Sequence, residues 1–197
     1  MALDLQRAVT DLVVQILGAG AAGTPDWLLR PGRQECRGRW QLVQEIYAAV
    51  TGGSVLPDAM PENERRSVDQ VLVVGGAHRI LEVDEIQHFN RYRATALRRY
   101  PSDLAVAFPV DAWTAACDRK HKLEGGGFGK PKPPLFPELG GRHQQRAFRD
   151  ALADILPGEY GWLPTLRIAD FEVVSWIREP NRRQRMSELL ASREGVL

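Results

Sequence analysis

One short stretch carries three carboxylates whose spacing could do chemistry: Asp69, Glu82 and Asp84. They flank two apolar, β-branched-rich runs, residues 68–74 and 77–83, joined by Gly75 and Gly76. A two-residue Gly-Gly link between such runs predicts a hairpin. Closing it there pairs residues whose numbers sum to 151, which sets Asp69 opposite Glu82. Side chains alternate along a strand, so Ser67, Asp69, Val71, Val73, His78, Ile80, Glu82 and Asp84 share one face. Directly opposed residues have Cβ atoms roughly 4.5–5.5 Å apart, and like charges placed so repel. A divalent cation would offset that cost, and Mg²⁺ and Mn²⁺ favour carboxylate oxygens and water. The other reading is a solvated acidic edge, with Asp84 capping the helix that follows.

The elements that must position these acids can be read on either side. Asp84-x-x-Gln87 matches an N-cap with Gln at the third helical position, predicting a helix over residues 85–99. Its buried stripe is Phe89, Tyr92, Ala96 and Tyr100, which turns His88, Arg91, Arg98 and Arg99 outward. Arginines leaving an acidic metal site suit a phosphodiester substrate, because carboxylates alone would repel a polyanion; an ordinary charged helix face is the alternative. Upstream, residues 39–51 predict a helix with Trp40, Val43, Tyr47 and Val50 on one side and Glu45 on it. Residues 5–17 predict a packing helix, and 18–37 a connector.

Downstream the pattern predicts a short strand over 104–108, a helical patch from residue 111, and a Gly/Pro-rich loop over 123–141. That loop lacks the spacing of a phosphate-binding P-loop. It reads either as a mobile flap that brings Lys130 and Lys132 to a substrate or as plain disorder. A helix over 142–156 buries Phe148, Ala151, Leu152 and Ile155 and exposes Arg142, Arg146 and Arg149, with Arg146 and Asp150 spaced for a helix salt bridge. A strand over 166–174 and a polar helix over 182–193 follow.

At 197 residues, 44% hydrophobic and 26% charged, the chain can bury one α/β core plus extensions. A net charge of +1 excludes a bulk polyanion binder, so any nucleic-acid surface must come from clustering. Cys36 and Cys117 stand far apart, which argues against a disulfide framework or zinc finger and for reduced thiols. The N-terminus is too charged for a signal peptide, and no apolar run approaches the roughly 20 residues of a membrane span. A cytoplasmic protein without a membrane role is expected.

The run LEVDEIQH, residues 81–88, with Asp69 before the hairpin, resembles the PD-(D/E)xK nuclease superfamily, in the branch related to very-short-patch-repair endonucleases. Val68 stands where that motif has Pro, Asp84 where it has Lys, and Glu85 where it has Gly. The resemblance implies a restriction-endonuclease-like αβββαβ core, an α/β fold whose mixed sheet is flanked by helices, with an extra N-terminal helix. Residues 1–37 would be that helix and connector, 38–177 the core, and 178–197 a C-terminal helix. It further implies an Mg²⁺- or Mn²⁺-dependent endonuclease acting on nucleic acid, DNA rather than RNA. Asp69 and Glu82 would ligate the metal, Asp84 would ligate it or orient its water, and Glu45 would lend a carboxylate or remain a solvated charge. Gln87 would orient water beside the catalytic acids. His88, Arg91, Arg98, Arg99, Lys130 and Lys132 would meet the nucleic acid. A homodimer or larger protein complex is compatible with this, and a non-cleaving nucleic-acid-binding or assembly subunit of the same fold is the alternative function.

Overall fold

Two glycines make the hairpin. Gly75 and Gly76 take φ values of +57° and +85°, the left-handed pair that a two-residue primed turn requires and that other residues rarely adopt. The strands they join pair Gln70 with Leu81, Val71 with Ile80, Leu72 with Arg79, Val73 with His78 and Val74 with Ala77. This is the expected register in every pair.

The computed structural model describes residues 2–62, 64, 66–120, 123 and 126–193. Along the chain lie α1 (Ala2–Leu17), β1 (Gly20–Ala22), α2 (Asp26–Leu29), α3 (Arg33–Cys36) and α4 (Trp40–Thr51). The hairpin follows as β2 (Gln70–Val74) and β3 (Ala77–Asp84), then α5 (Arg91–Leu97), α6 (Val110–Arg119) and α7 (Gly141–Ile155). The chain continues through β4 (Leu163–Ala169), α8 (Asp170–Val173) and α9 (Arg182–Ala191). The sheet order is β1-β2-β3-β4. Its first two pairings are antiparallel and the last is parallel, so the fold is α/β with a mixed sheet.

Helices cover both faces of the sheet. Leu72, Leu81, Val83, Leu166 and Ile168 face Val9, Leu12 and Val13 of α1 and Met186 and Leu190 of α9. On the other face Ile80 meets a cluster built from Val43, Ile46 and Tyr47 of α4 and Phe148, Ala151 and Leu152 of α7. A third cluster joins Phe89, Leu97 and Trp113 between α5 and α6. The N-terminal helix is therefore a layer of the core. Part of the expected connector supplies the sheet's first strand, β1, and 104–108 contributes only a single bridge, Ala107 to Leu166.

The continuous helix expected over 85–99 does not form. Strand β3 runs on through Asp84, Ile86–His88 make one 3-10 turn, and α5 begins only after Asn90. Asn90 is the true cap, accepting from the Tyr92 and Arg93 amides at 3.0 and 3.1 Å. Asp84 cannot cap because its carboxylate is engaged in the interior by Arg167 and Trp113. The strand expected over 166–174 ends at Ala169, where α8 takes over.

The long loop is pinned rather than free. Lys132 and Phe136 exchange backbone hydrogen bonds, the Tyr47 hydroxyl donates to the Leu135 carbonyl at 2.6 Å, and Leu135 and Phe136 are buried. It closes so tightly on the start of α7 that a Cβ on Gly141 would sit 2.2 Å from the Phe136 carbonyl oxygen. Residues 124 and 125 of the loop lie outside the described residues. Among the described residues no helix is long and apolar enough to cross a membrane.

Candidate functional site

The face of β3 that carries Glu82 and Asp84 looks toward α7, and both acids are buried, at 5% and 0% exposure. Beside them in the parallel pairing stands Arg167 of β4, the register partner of Glu82. Arg167 is wholly buried. Its Nη1 donates to Asp84 at 2.7 Å, its Nε to Asp154 at 2.7 Å and its Nη2 to the Asp150 carbonyl at 3.1 Å. The second Asp84 oxygen accepts from the Trp113 indole at 2.6 Å. Asp154 is shared further, with Arg93 and the Tyr100 hydroxyl, each at 2.7 Å. A buried ionic group thus fills the space between sheet and α5–α7, and it is satisfied on nearly every oxygen, as an interior charge must be.

This group opens at one end. His88, on the turn after β3, sets its Nδ1 3.0 Å from Asp150 and 3.4 Å from Asp84. Burial pulls the His88 pKa down, but the Asp150 and Asp84 carboxylates outweigh it and hold it above the ordinary value. Asp150 moves the other way: burial raises its pKa, yet His88 and Arg167 hold it well below the carboxylate range. The two shifts agree on a charged pair. Asp84, His88 and Asp150 bring one ligand atom each within 4.8 Å of one another, an arrangement that could hold a metal ion.

Beyond His88 lies a polar cleft of about 210 Å³. Asp69, Glu82, His88 and Asp150 line it together with Arg66, Arg142, Arg146 and Arg149. Asp69 lies just past the last ladder pair, and its Oδ2 accepts from the Val83 amide at 2.8 Å. Burial raises its pKa, and that hydrogen bond works against the rise. Glu82 meets Arg66 Nη2 at 2.6 Å. Burial nevertheless pushes its pKa up to about 7, with Arg66 opposing and Asp69 assisting. The Glu82 carboxyl therefore exchanges a proton near neutral pH.

Of the residues expected to form the site, the structure brings Asp69, Glu82 and His88 into the cleft and sets Asp84 behind them. Others lie elsewhere. Gln87 donates to Glu85 at 2.7 Å and lines a separate apolar depression with Ile86 and Val174, because Glu85 rather than Asp84 precedes its turn. Glu45 is exposed on α4 and accepts from Gln41 at 3.0 Å. Arg91 rests on the Tyr92 ring, Arg98 pairs with Asp118 at 2.6 Å, and Arg99 donates to the Thr95 carbonyl. Lys130 and Lys132 are exposed on the pinned loop. None of these seven lines the cleft. The cationic wall comes instead from α7, whose Arg142, Arg146 and Arg149 are half-buried rather than exposed, and from Arg66 at the entry to the hairpin.

Sequence reasoning missed Arg167 and Arg66 and took Asp150 for a helix-surface partner. For Arg167 a signal existed: a lone charge between Leu166 and Ile168, in a strand apolar enough to be buried on both faces, must find an interior partner. Comparison with known proteins places all of this within one family. A model for a family of unknown function, DUF7255, matches residues 45–179, a span that holds every residue of the cleft and of the buried ionic group. No curated protein and no solved structure matches the chain. With well over half its length matched, the chain belongs to the DUF7255 family.

Proposed function

We propose that this protein hydrolyses nucleic-acid phosphodiester bonds, in DNA rather than RNA, with Mg²⁺ or Mn²⁺, on a fold of the PD-(D/E)xK kind. The observation that carries the reading is the cleft that gathers three carboxylates, an imidazole and four guanidiniums. Hydrolysing a polyanion needs that pairing, since the acids hold the cation and the arginines hold the phosphate. The donor set suits a hard divalent ion, since Asp69, Glu82 and Asp150 offer carboxylate oxygens. These three acids would hold it, with the protonated His88 beside them. When bound, the cation lowers the pKa of a water and neutralises charge on the phosphoryl oxygens. Asp84 then orients His88 from behind, because both of its own oxygens are taken by Arg167 and Trp113.

The motif position that carries Lys in the resembled superfamily is Asp84 here, so the cation beside the reacting groups must come from another residue. Arg167 is wholly buried and does not line the cleft. His88 does, and its neighbours favour its protonated form, so it supplies that charge and a movable proton at its ring nitrogen. Buried, free Cys36 and Cys117 suit a reducing, cytoplasmic setting.

A second reading is favoured by one observation. Arg66 on Glu82 and Arg167 on Asp84 already neutralise two of the acids, as expected of a non-cleaving binding or assembly subunit. Nicking of supercoiled plasmid and cleavage of single strands, with Mg²⁺, Mn²⁺ or EDTA, separates the two. Metal-dependent cleavage that disappears in Asp69→Ala and Asp150→Asn is expected. Cleavage that survives both substitutions, or a salt-sensitive gel shift with no cleavage in either metal, refutes the hydrolase.

A further inference from the structure

We infer that the arginine cluster of the cleft is a subsite for a terminal phosphate group centred on Arg66; the inference rests on the hydrolase reading and deepens it. Arg66 is 7% exposed and spends Nη2 on Glu82. Its Nε and Nη1 are buried with no hydrogen-bond partner among the described residues. A guanidinium keeps its proton and offers five N–H donors, and a buried donor left unmade is costly and rare. Two such nitrogens on one side chain mark a place for an acceptor that arrives from outside.

The surroundings say which acceptor. Arg66 and Arg149 also border a small cavity walled by Leu29, Met60 and Phe148, where a charged acceptor would lose its hydration against apolar side chains. On the cleft side, Arg142, Arg146 and Arg149 stand with Arg66, a density of planar forks that matches phosphate oxygens. The volume of about 210 Å³ and the depth of Arg66 favour a compact group at the end of a strand. An internal phosphodiester must lead a sugar out on each side, whereas a phosphomonoester leads out only one. The monoester also carries roughly −1.5 to −2 charge near pH 7, about one and a half to two times what a diester brings to the same guanidiniums. A strand seated this way presents the bonds nearest its phosphorylated end to the wall of Asp69 and Glu82.

The test is a calorimetric titration of inorganic phosphate into the full chain in EDTA, with chloride at matched ionic strength as the control. Arg66→Lys keeps the charge beside Glu82 and loses the planar donors, so phosphate should bind roughly tenfold more weakly. Arg142→Gln, at the half-buried rim, should weaken binding several-fold, and it decides alone if the Lys variant does not fold. No phosphate binding by the parent, or unchanged affinity in the folded variants, overturns the subsite. A second arm competes short single strands bearing a 5′-phosphate, a 3′-phosphate or neither against inorganic phosphate. One phosphorylated end should displace it best, and equal displacement by all three overturns terminal recognition. Both arms run without metal and do not read cleavage, so phosphate binding that stays intact while the metal-supplemented plasmid assay shows no cleavage refutes the hydrolase and leaves the subsite standing.

Discussion

Glu82→Gln should stabilise the protein at alkaline pH, and by an amount that the geometry fixes. Glu82 is 5% exposed, so solvent screens it little. Burial, with Asp69 and Asp150 adding repulsion and Arg66 only partly offsetting it, moves its pKa from 4.5 to about 7. A folded pKa above the unfolded one means that between these values the folded state keeps a proton the unfolded state has released. The associated stability is fully present below pH 4.5 and is lost as pH rises through about 7. At about 1.4 kcal/mol per pH unit, the loss is on the order of 3 kcal/mol. Glutamine is neutral throughout and still offers Arg66 an oxygen, so its cost or benefit to packing does not titrate. The stability difference between variant and parent should therefore swing by about 3 kcal/mol in favour of Gln between pH 4.5 and pH 8. Urea unfolding at both pH values in EDTA reads it, and groups that titrate alike in both proteins cancel. A swing under about 1 kcal/mol, or one favouring Glu, would refute the burial and repulsion assigned to this carboxyl. Adding Mn²⁺ at pH 8 should raise the parent's stability more than the variant's, because ligand binding stabilises only the state that has the site.

Arg167→Leu leaves Asp84, Asp150 and Asp154 short of a buried partner and should cost about 3–5 kcal/mol in denaturant unfolding; a loss below about 1 kcal/mol would mean that the network relaxes around the gap. Replacing Arg142, Arg146 and Arg149 together should flatten the slope of log affinity against log salt for nucleic acid by roughly two to three, whereas replacing Arg91, Arg98 and Arg99 should leave it unchanged. The reverse ranking would move the interface from α7 to α5.

What the sequence disclosed and what it hid divide along a physical line. The hairpin register was legible because two glycines and a period of two determine it locally, and a slip of one residue would have turned every buried side chain to the other face. The helix after Asp84 was misread because its cap pattern is local while the fate of Asp84 is not. Arg167, distant in sequence, and the Trp113 indole draw that carboxylate inward, and Asn90 takes over the cap. Strand β1 gave no signal, since Gly20, Ala21 and Ala22 are exposed and lack alternation. The arginines of α7 were placed correctly on the helix, opposite its apolar stripe. That the end of the sheet and Arg66 cover that side could be seen only once the layers were assembled.

The buried group leaves one charge to be supplied. Asp84, Asp150 and Asp154 bring three negative charges to the interior, and Arg93 and Arg167, both nearly inaccessible, bring two positive ones. Leaving a buried charge uncompensated costs several kcal/mol, roughly 3–5 when one partner is removed. Tyr100 adds no further negative charge, because burial raises its pKa well above the ordinary value, more than Arg93 lowers it, and its hydroxyl keeps its proton. At the open end His88, at 3.0 Å from Asp150 and 3.4 Å from Asp84, brings positive charge to the group, and Arg146 of α7 stands in the same cleft. The same end faces the cleft, where Asp69 and Glu82 stand. The interior thus requires a cation where the candidate chemistry requires one, and the demand that holds β3, β4 and α7 together also holds the acids of the cleft in place.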